Sequence, residues 1–187
     1  MQVNMKDFGI ILDHNDKPVN PYPFPFSNNQ VGRGRLGKWG PNHAADPVVI
    51  WCHGDETFSV LCIYRTDVTE LKPALPGGMI EIKADGTPEC FTQTLKRELV
   101  EEAIDENSEG AQATRILQEH FDNGTILYKG VVADPRNTGN AWIETVAMAV
   151  YVDDALVSKL NISRSGSNDG ESRGAFWMPV TNANLDI

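Results

Sequence analysis

The chain has 187 residues, 41% hydrophobic and 22% charged, which fits one globular domain with a sizeable core. Acidic residues outnumber basic ones 26 to 16, for a formal net charge of -10, and so acidic a surface repels a phosphate backbone and argues against a nucleic-acid partner. No apolar run approaches the ~20 residues of a membrane span, so no membrane partner is expected.

Three cysteines, Cys52, Cys62 and Cys90, form no close pair. The odd count argues against a disulfide framework and against a cysteine-rich zinc site, and it fits a reducing compartment. The N-terminus lacks the basic start and apolar core of a secretion signal, so a cytoplasmic location is expected.

Residues 1–31 read as an N-terminal extension and 32–187 as the main domain. Asn20-Pro-Tyr-Pro-Phe-Pro-Phe-Ser alternates proline and should be extended, either lying over the domain with Phe24 and Phe26 as anchors or serving as a linker. Residues 31–47 read as irregular. Gly32-Arg-Gly-Arg-Leu-Gly37 satisfies GxGxxG, but no strand precedes it and Trp39-Gly-Pro41 blocks a following helix, so a dinucleotide fingerprint is rejected.

Val48–Cys52 and Phe58–Arg65 are rich in β-branched and aromatic residues and read as a strand pair joined by a turn, with Cys62 in the core. Leu75-Pro-Gly-Gly and Ala84-Asp-Gly-Thr-Pro mark turns. Residues 89–105 read as a helix, with Phe91, Leu95, Leu99 and Ala103 as its buried stripe. A second helix is expected over 109–121, with Ile116, Leu117, His120 and Phe121 as its apolar or amphipathic positions and Asn123-Gly as its end.

A strand over 126–132, a loop at Asp134-Pro-Arg-Asn, a long strand from Trp142 to Val152, a polar loop over 163–174 and a last strand from Ala175 complete the chain. Strands alternating with helices give an α/β class with a mixed sheet.

Arg97-Glu98-Leu99-Val100-Glu101-Glu102 carries the chemistry. On a helix, positions 98, 101 and 102 stand at i, i+3 and i+4, so their carboxylates share one patch. Each like-charge pair costs a few tenths of a kcal/mol, and a divalent cation would relieve it. Carboxylates suit Mg²⁺ or Mn²⁺, which would neutralise a diphosphate and lower the pKa of an attacking water. Read without its neighbours, the cluster fits a solvated acidic face better than a metal seat.

The neighbours decide the reading. Gly78, Glu89, Arg97, Glu98, Leu99, Glu101 and Glu102 stand in the order of the Nudix box, and the chain resembles that family. The resemblance implies a Nudix fold, a mixed sheet sandwiched between helices. It also implies Glu98 and Glu102 as principal metal ligands, Glu101 and the Gly78 carbonyl as further ones, and Arg97 orienting the glutamates. Two departures stand out. Gly78 to Glu89 spans eleven positions, five more than usual, through an insertion within Ile82–Thr87; and Ile104 replaces the family's glycine after the glutamate pair.

Gly37-Lys-Trp-Gly-Pro-Asn-His and Tyr128-Lys-Gly-Val-Val-Ala-Asp-Pro-Arg-Asn-Thr-Gly-Asn-Ala-Trp-Ile-Glu are similar to segments of the animal mitochondrial ADP-ribose pyrophosphatases. They are also similar to the ADP-ribose-binding domain of melastatin-type TRP channels. This resemblance implies hydrolysis of ADP-ribose to AMP and ribose 5-phosphate, with a mitochondrial location as the alternative to the cytoplasm. It further implies a C-terminal helix beyond the last strand, where this chain ends at Ile187. A non-catalytic ADP-ribose sensor and a Nudix hydrolase of another nucleoside diphosphate derivative are the alternative readings.

Arg136, in a turn after a strand, suits a phosphate or ribose, and Asp134 suits ribose hydroxyls or the turn itself. Arg33 and Arg35 are further cationic candidates. Trp142 fits either base stacking or core, and Glu144 shares its strand face. Glu171 and Asp169 are candidates for the general base, with a box glutamate as the other route. His43 reads as a hydrogen-bonded loop residue.

Overall fold

A computed structural model of the protein describes residues 11–28, 30–65, 72–105, 111–163 and 172–181. Glu171 and Asp169 lie outside the described residues. The strands are β1 (Gly40–Cys52), β2 (Phe58–Arg65), β3 (Pro73–Ala74), β4 (Gly78–Met79), β5 (Thr125–Val131), β6 (Ala141–Val152) and β7 (Ser172–Pro179). The helices are α1 (Phe91–Ala103), α2 (Ala111–His120) and α3 (Asp154–Val157). The sheet runs β3-β2-β1-β6-β5, with β4 paired to β1 and β7 to β2. The result is the expected α/β class.

Two compact units emerge. One comprises the described residues up to Ala44 with Lys129–Thr145; the other comprises Ala45–Tyr128 with the described residues from Val146 onward. The strand pair read from the sequence is antiparallel, with Ile50 opposite Val60 and Cys52 opposite Phe58.

The core of the larger unit gathers Val49, Leu61, Ile63, Leu95, Leu99, Leu117, Phe121 and Val150. The α1 stripe holds: Leu95, Leu99 and Ala103 are fully buried and Phe91 packs against the same cluster. Burial pushes the Cys62 thiol up to about 11, so its thiolate forms only as pH rises toward that value. At pH 8, iodoacetamide is expected to label exposed Cys90 and to spare Cys62 in the folded chain. Peptide mass mapping checks this, and fast labelling of Cys62 without unfolding would contradict the core described here.

Several local expectations change. β1 starts at Gly40, inside the stretch read as irregular. Gly40, Asn42 and Ala44 are buried while Pro41 and His43 are not, a period-two pattern that small and polar residues hide from a composition reading. His43 is therefore a strand residue rather than a loop residue. In α2, Ala113, Thr114 and Leu117 are buried, whereas Ile116 is 39% exposed and His120 is exposed. Of the four positions named from the sequence, Leu117 and Phe121 are buried, and Ala113 and Thr114 complete the inward face.

The N-terminal proline run is turned rather than extended, because the Phe26 N–H donates to Pro23 O at 2.9 Å. Phe24 is 82% exposed and anchors nothing. Asn20 does the anchoring, donating from its backbone to Gly139 O and from its side chain to Thr138 O, each at 2.8 Å. The last strand starts at Ser172 instead of Ala175. The short α3 was not predicted; Asp153 caps it, its side chain accepting from the Leu156 N–H.

Ile104 explains why the family glycine is dispensable here. Its φ is -120 and ψ is 131, ordinary extended backbone. It leaves α1 directly into a bridge with Ile162, and the Asp105 N–H donates to Asn161 O at 2.8 Å. A helix that exits into a β-bridge needs no left-handed cap, and a buried β-branched residue suits that exit.

Candidate active site

The insertion before α1 folds as a closed hairpin. Ile82 and Pro88 bridge antiparallel, the Lys83 N–H donates to Thr87 O and the Gly86 N–H to Lys83 O, both at 2.8 Å. Asp85 accepts from the Thr87 N–H and hydroxyl at the tip. At the base, the Glu89 N–H donates to Glu81 O at 2.9 Å. The extra residues therefore loop out and return, and Glu89 arrives beside Glu81 as if they were absent. The Gln93 side chain then accepts from the Cys90 N–H and helps start α1.

Arg97 is the hub of the larger unit's site, and all five of its N–H donors are used. Nε donates to Glu89 Oε1 at 3.2 Å. Nη1 donates to Glu98 Oε1 at 2.7 Å and to Glu101 Oε2 at 2.8 Å. Nη2 donates to Met79 O and Glu89 Oε2, each at 3.0 Å. Burial opposes its charge, but hydrogen bonds to Glu89 and Glu101, then the charge of Glu98, raise its pKa further above the guanidinium value. The hydrogen bond from Arg97 in turn holds the Glu89 carboxyl below the usual glutamate range, with Thr94 assisting.

The helix sorts the three box glutamates. Glu98 and Glu102 share the buried face with Leu95, Leu99 and Ala103, at 7% and 1% exposure. Glu101 lies off that face, with its side chain 45% exposed. Buried carboxylates are rare unless something holds them, and here the Gly77–Gly78 backbone does. The Gly77 N–H donates to Glu102 Oε2 at 2.8 Å. A Cβ added to Gly78 would stand 2.6 Å from Glu98 Oε2, so only glycine lets that carboxylate lie against the chain. Gly77 has φ +155, and a Cβ there would stand 3.0 Å from Ala45 O and 3.1 Å from Asp46 Cα.

These observations test whether the donors fit a metal. Among the described residues, no three His, Cys, Asp or Glu side chains converge as a complete metal cage. Two carboxylates packed on a glycine backbone are hard oxygen donors, and they match the one or two protein carboxylates that Mg²⁺ typically takes when phosphate oxygens complete its shell.

The remaining candidates belong to the smaller unit. Asp134 holds Arg136 in a fork: Nε donates to Oδ1 at 2.8 Å and Nη2 to Oδ2 at 2.7 Å. The Arg136 backbone N–H also donates to Oδ1. Arg33 and Arg35 are exposed, and Arg33 Nη1 donates to Gly37 O at 2.8 Å. Trp142 is 3% exposed, lies edge-on to Tyr22, and donates from Nε1 to Glu144 Oε1 at 2.8 Å. Of its two roles, burial selects packing over base stacking. Sequence reasoning missed the carboxylate role of Glu89 at Arg97, which the insertion obscured, and the contacts converging on Glu144.

No family model matches the chain. A Caenorhabditis elegans protein named for the nudix hydrolases is 37% identical over 164 residues, 88% of this chain and 56% of that protein. The mitochondrial ADP-ribose pyrophosphatase of Rattus norvegicus is 34% identical over 179 residues, 86% of this chain and 48% of the enzyme. A TRP channel of subfamily M from Nematostella vectensis, member-like 2, is 38% identical over 150 residues, 73% of this chain and 9% of the channel. The chain thus spans about half the length of the first two relatives. A MutT/nudix family protein from Enterococcus faecalis matches the fold with a TM-score of 0.51 at 20% identity, covering 78% of this chain and 46% of that one. With Arg97, Glu98, Glu101 and Glu102 on α1 and Gly78 and Glu89 against them, the chain belongs to the Nudix superfamily.

Proposed function

We propose that this chain hydrolyses the diphosphate of ADP-ribose to AMP and ribose 5-phosphate, using Mg²⁺ or Mn²⁺. The observation that carries the reading is the pair of buried carboxylates, Glu98 and Glu102, lodged on Gly77–Gly78 beside a fully engaged Arg97. Glu98 and Glu102 would hold the metal, with Glu101 and the Gly78 carbonyl as further ligands. When bound, the ion supplies charge neutralisation at the diphosphate and acidifies water.

In the reaction, a water oxygen bonds to one phosphorus and the bridging oxygen leaves with the other phosphate. A carboxylate takes the proton that the water loses. Glu101, the most exposed of the box glutamates, is the described residue suited to that role; Glu171 is the candidate outside the described residues. Arg97 fixes the orientation of Glu98 and Glu101. Asp134, Arg136, Arg33 and Arg35 supply substrate contacts in this proposal, and residues 32–187 form the catalytic domain with 1–31 as its extension.

The rat relative's name supports ADP-ribose as the substrate and a mitochondrial location as an alternative to the cytoplasm. Three free thiols suit either compartment. Among the described residues, no helix is long and apolar enough to cross a membrane. The test is product analysis after incubating the protein with ADP-ribose and Mg²⁺. AMP and ribose 5-phosphate are expected in equal amounts, with none when EDTA replaces the metal. Binding of ADP-ribose without AMP release would instead identify a sensor module.

A further inference from the structure

A second polar cluster stands in the smaller unit, outside the acidic helix. Along β6, Ala141, Trp142, Ile143 and Thr145 are buried, while the Glu144 side chain stays 30% exposed. Its two oxygens have different surroundings. Oε1 accepts from Trp142 Nε1 at 2.8 Å and from the Tyr22 hydroxyl at 3.4 Å. Oε2 faces His43 Nε2 at 3.8 Å, and the His43 side chain is 57% exposed.

This arrangement is poorly explained as an ion pair. At 3.8 Å the two atoms are beyond hydrogen-bond distance, and an exposed pair of this kind contributes little stability. Two neutral donors instead fix the carboxylate without neutralising it, which is how a preorganised acceptor is built. An oxygen seated beside the pair, off the line joining Oε2 and Nε2, can stand about 2.8 Å from both. Such an oxygen would donate to Oε2 and accept from Nε2–H. A hydroxyl does both through one atom, whereas a phosphate oxygen only accepts and would be repelled by the carboxylate.

We infer that Glu144 and His43, with Tyr22 and Trp142 holding Glu144 in place, form a site that reads a pentose hydroxyl. The inference rests on the ADP-ribose reading, because the riboses of that substrate carry such hydroxyls. It makes Glu144 and His43 specificity-determining residues, with Tyr22 and Trp142 as positioning residues.

The test is steady-state kinetics with Mg²⁺ on ADP-ribose and on two analogues, one lacking hydroxyls on the adenosine ribose and one lacking them on the terminal ribose. The wild type is expected to discriminate against one analogue, which identifies the ribose that is read. Glu144→Gln is expected to raise KM for ADP-ribose about tenfold, as suits loss of a hydrogen bond to a charged group. Its kcat should stay within about threefold, and its discrimination against that analogue should disappear.

Glutamine can still accept from Trp142, and a thermal melt verifies the fold. If Glu144→Gln melts below the assay temperature, Tyr22→Phe and His43→Gln carry the test through the same loss of discrimination. Absence of AMP from the wild type defeats the ADP-ribose reading and this inference with it. AMP from the wild type, with KM and discrimination unchanged in folded variants, overturns this inference alone.

Discussion

Replacing Glu98 and Glu102 together by glutamine is expected to cut AMP release by about a thousandfold or more while leaving α1 folded. Both side chains are buried, and glutamine has nearly the same shape. The amide oxygen at position 102 can still accept from the Gly77 N–H, and the one at position 98 can still accept from Arg97 Nη1. The charge is lost. Without it, the helix no longer supplies hard anionic ligands, and several kcal/mol of transition-state stabilisation go with the metal; each 1.36 kcal/mol is about tenfold in rate. The apo stability should fall by no more than about 1 kcal/mol, because removing two crowded buried charges relieves repulsion as well as attraction. Mg²⁺ should raise the melting temperature of the wild type and not of the double variant. AMP release at the wild-type rate from the folded double variant would remove the metal seat from the account.

The variant isolates what the sequence could and could not reveal. Leu95, Leu99 and Ala103 recur at helical spacing, so the core face of α1 was legible. The same periodicity places Glu98 and Glu102 one step from that face, but the run of three glutamates looks like a single patch until burial separates Glu101 from the other two. The depth of a side chain depends on what the helix lies against, here β2 and β7, and no local pattern encodes that.

The insertion gives the opposite lesson. Its length made the box spacing look defective, yet the bridge between Ile82 and Pro88 closes it and restores Glu89 to Arg97. Turn residues announced the bend, but the register that closes it is a backbone pairing. Ile104 likewise looked like a departure until the chain was seen to leave α1 into a bridge with Ile162. At Gly40–Ala44 the failure was compositional: Gly40, Pro41 and Asn42 conceal a strand whose alternation appears only as burial.

Arg97→Ala is expected to lower stability by about 3 kcal/mol or more at neutral pH. The guanidinium is only 20% exposed, and its partners Glu89 and Glu98 are 13% and 9% exposed. Removing one partner of a largely buried ionic network leaves uncompensated charge, which typically costs about 3 to 5 kcal/mol. It also leaves the Met79 carbonyl without its donor. The sign of the pH dependence follows from Glu89. Hydrogen bonding to Arg97 depresses its folded pKa below the ordinary value of 4.5, so this contribution is fully present above that value. It is lost as pH falls through the depressed folded pKa. The stability gap between wild type and Arg97→Ala should therefore be widest at neutral pH and narrow in acid, as urea titrations across the pH range would measure. Arg97→Lys retains the charge but has three donors on one nitrogen in place of five in a planar fork. It should recover part of the stability and still lose about 10- to 100-fold in activity, because Glu98 is no longer held in register. A lysine variant with wild-type activity would mean that charge alone, and not the geometry of the fork, sets the glutamates.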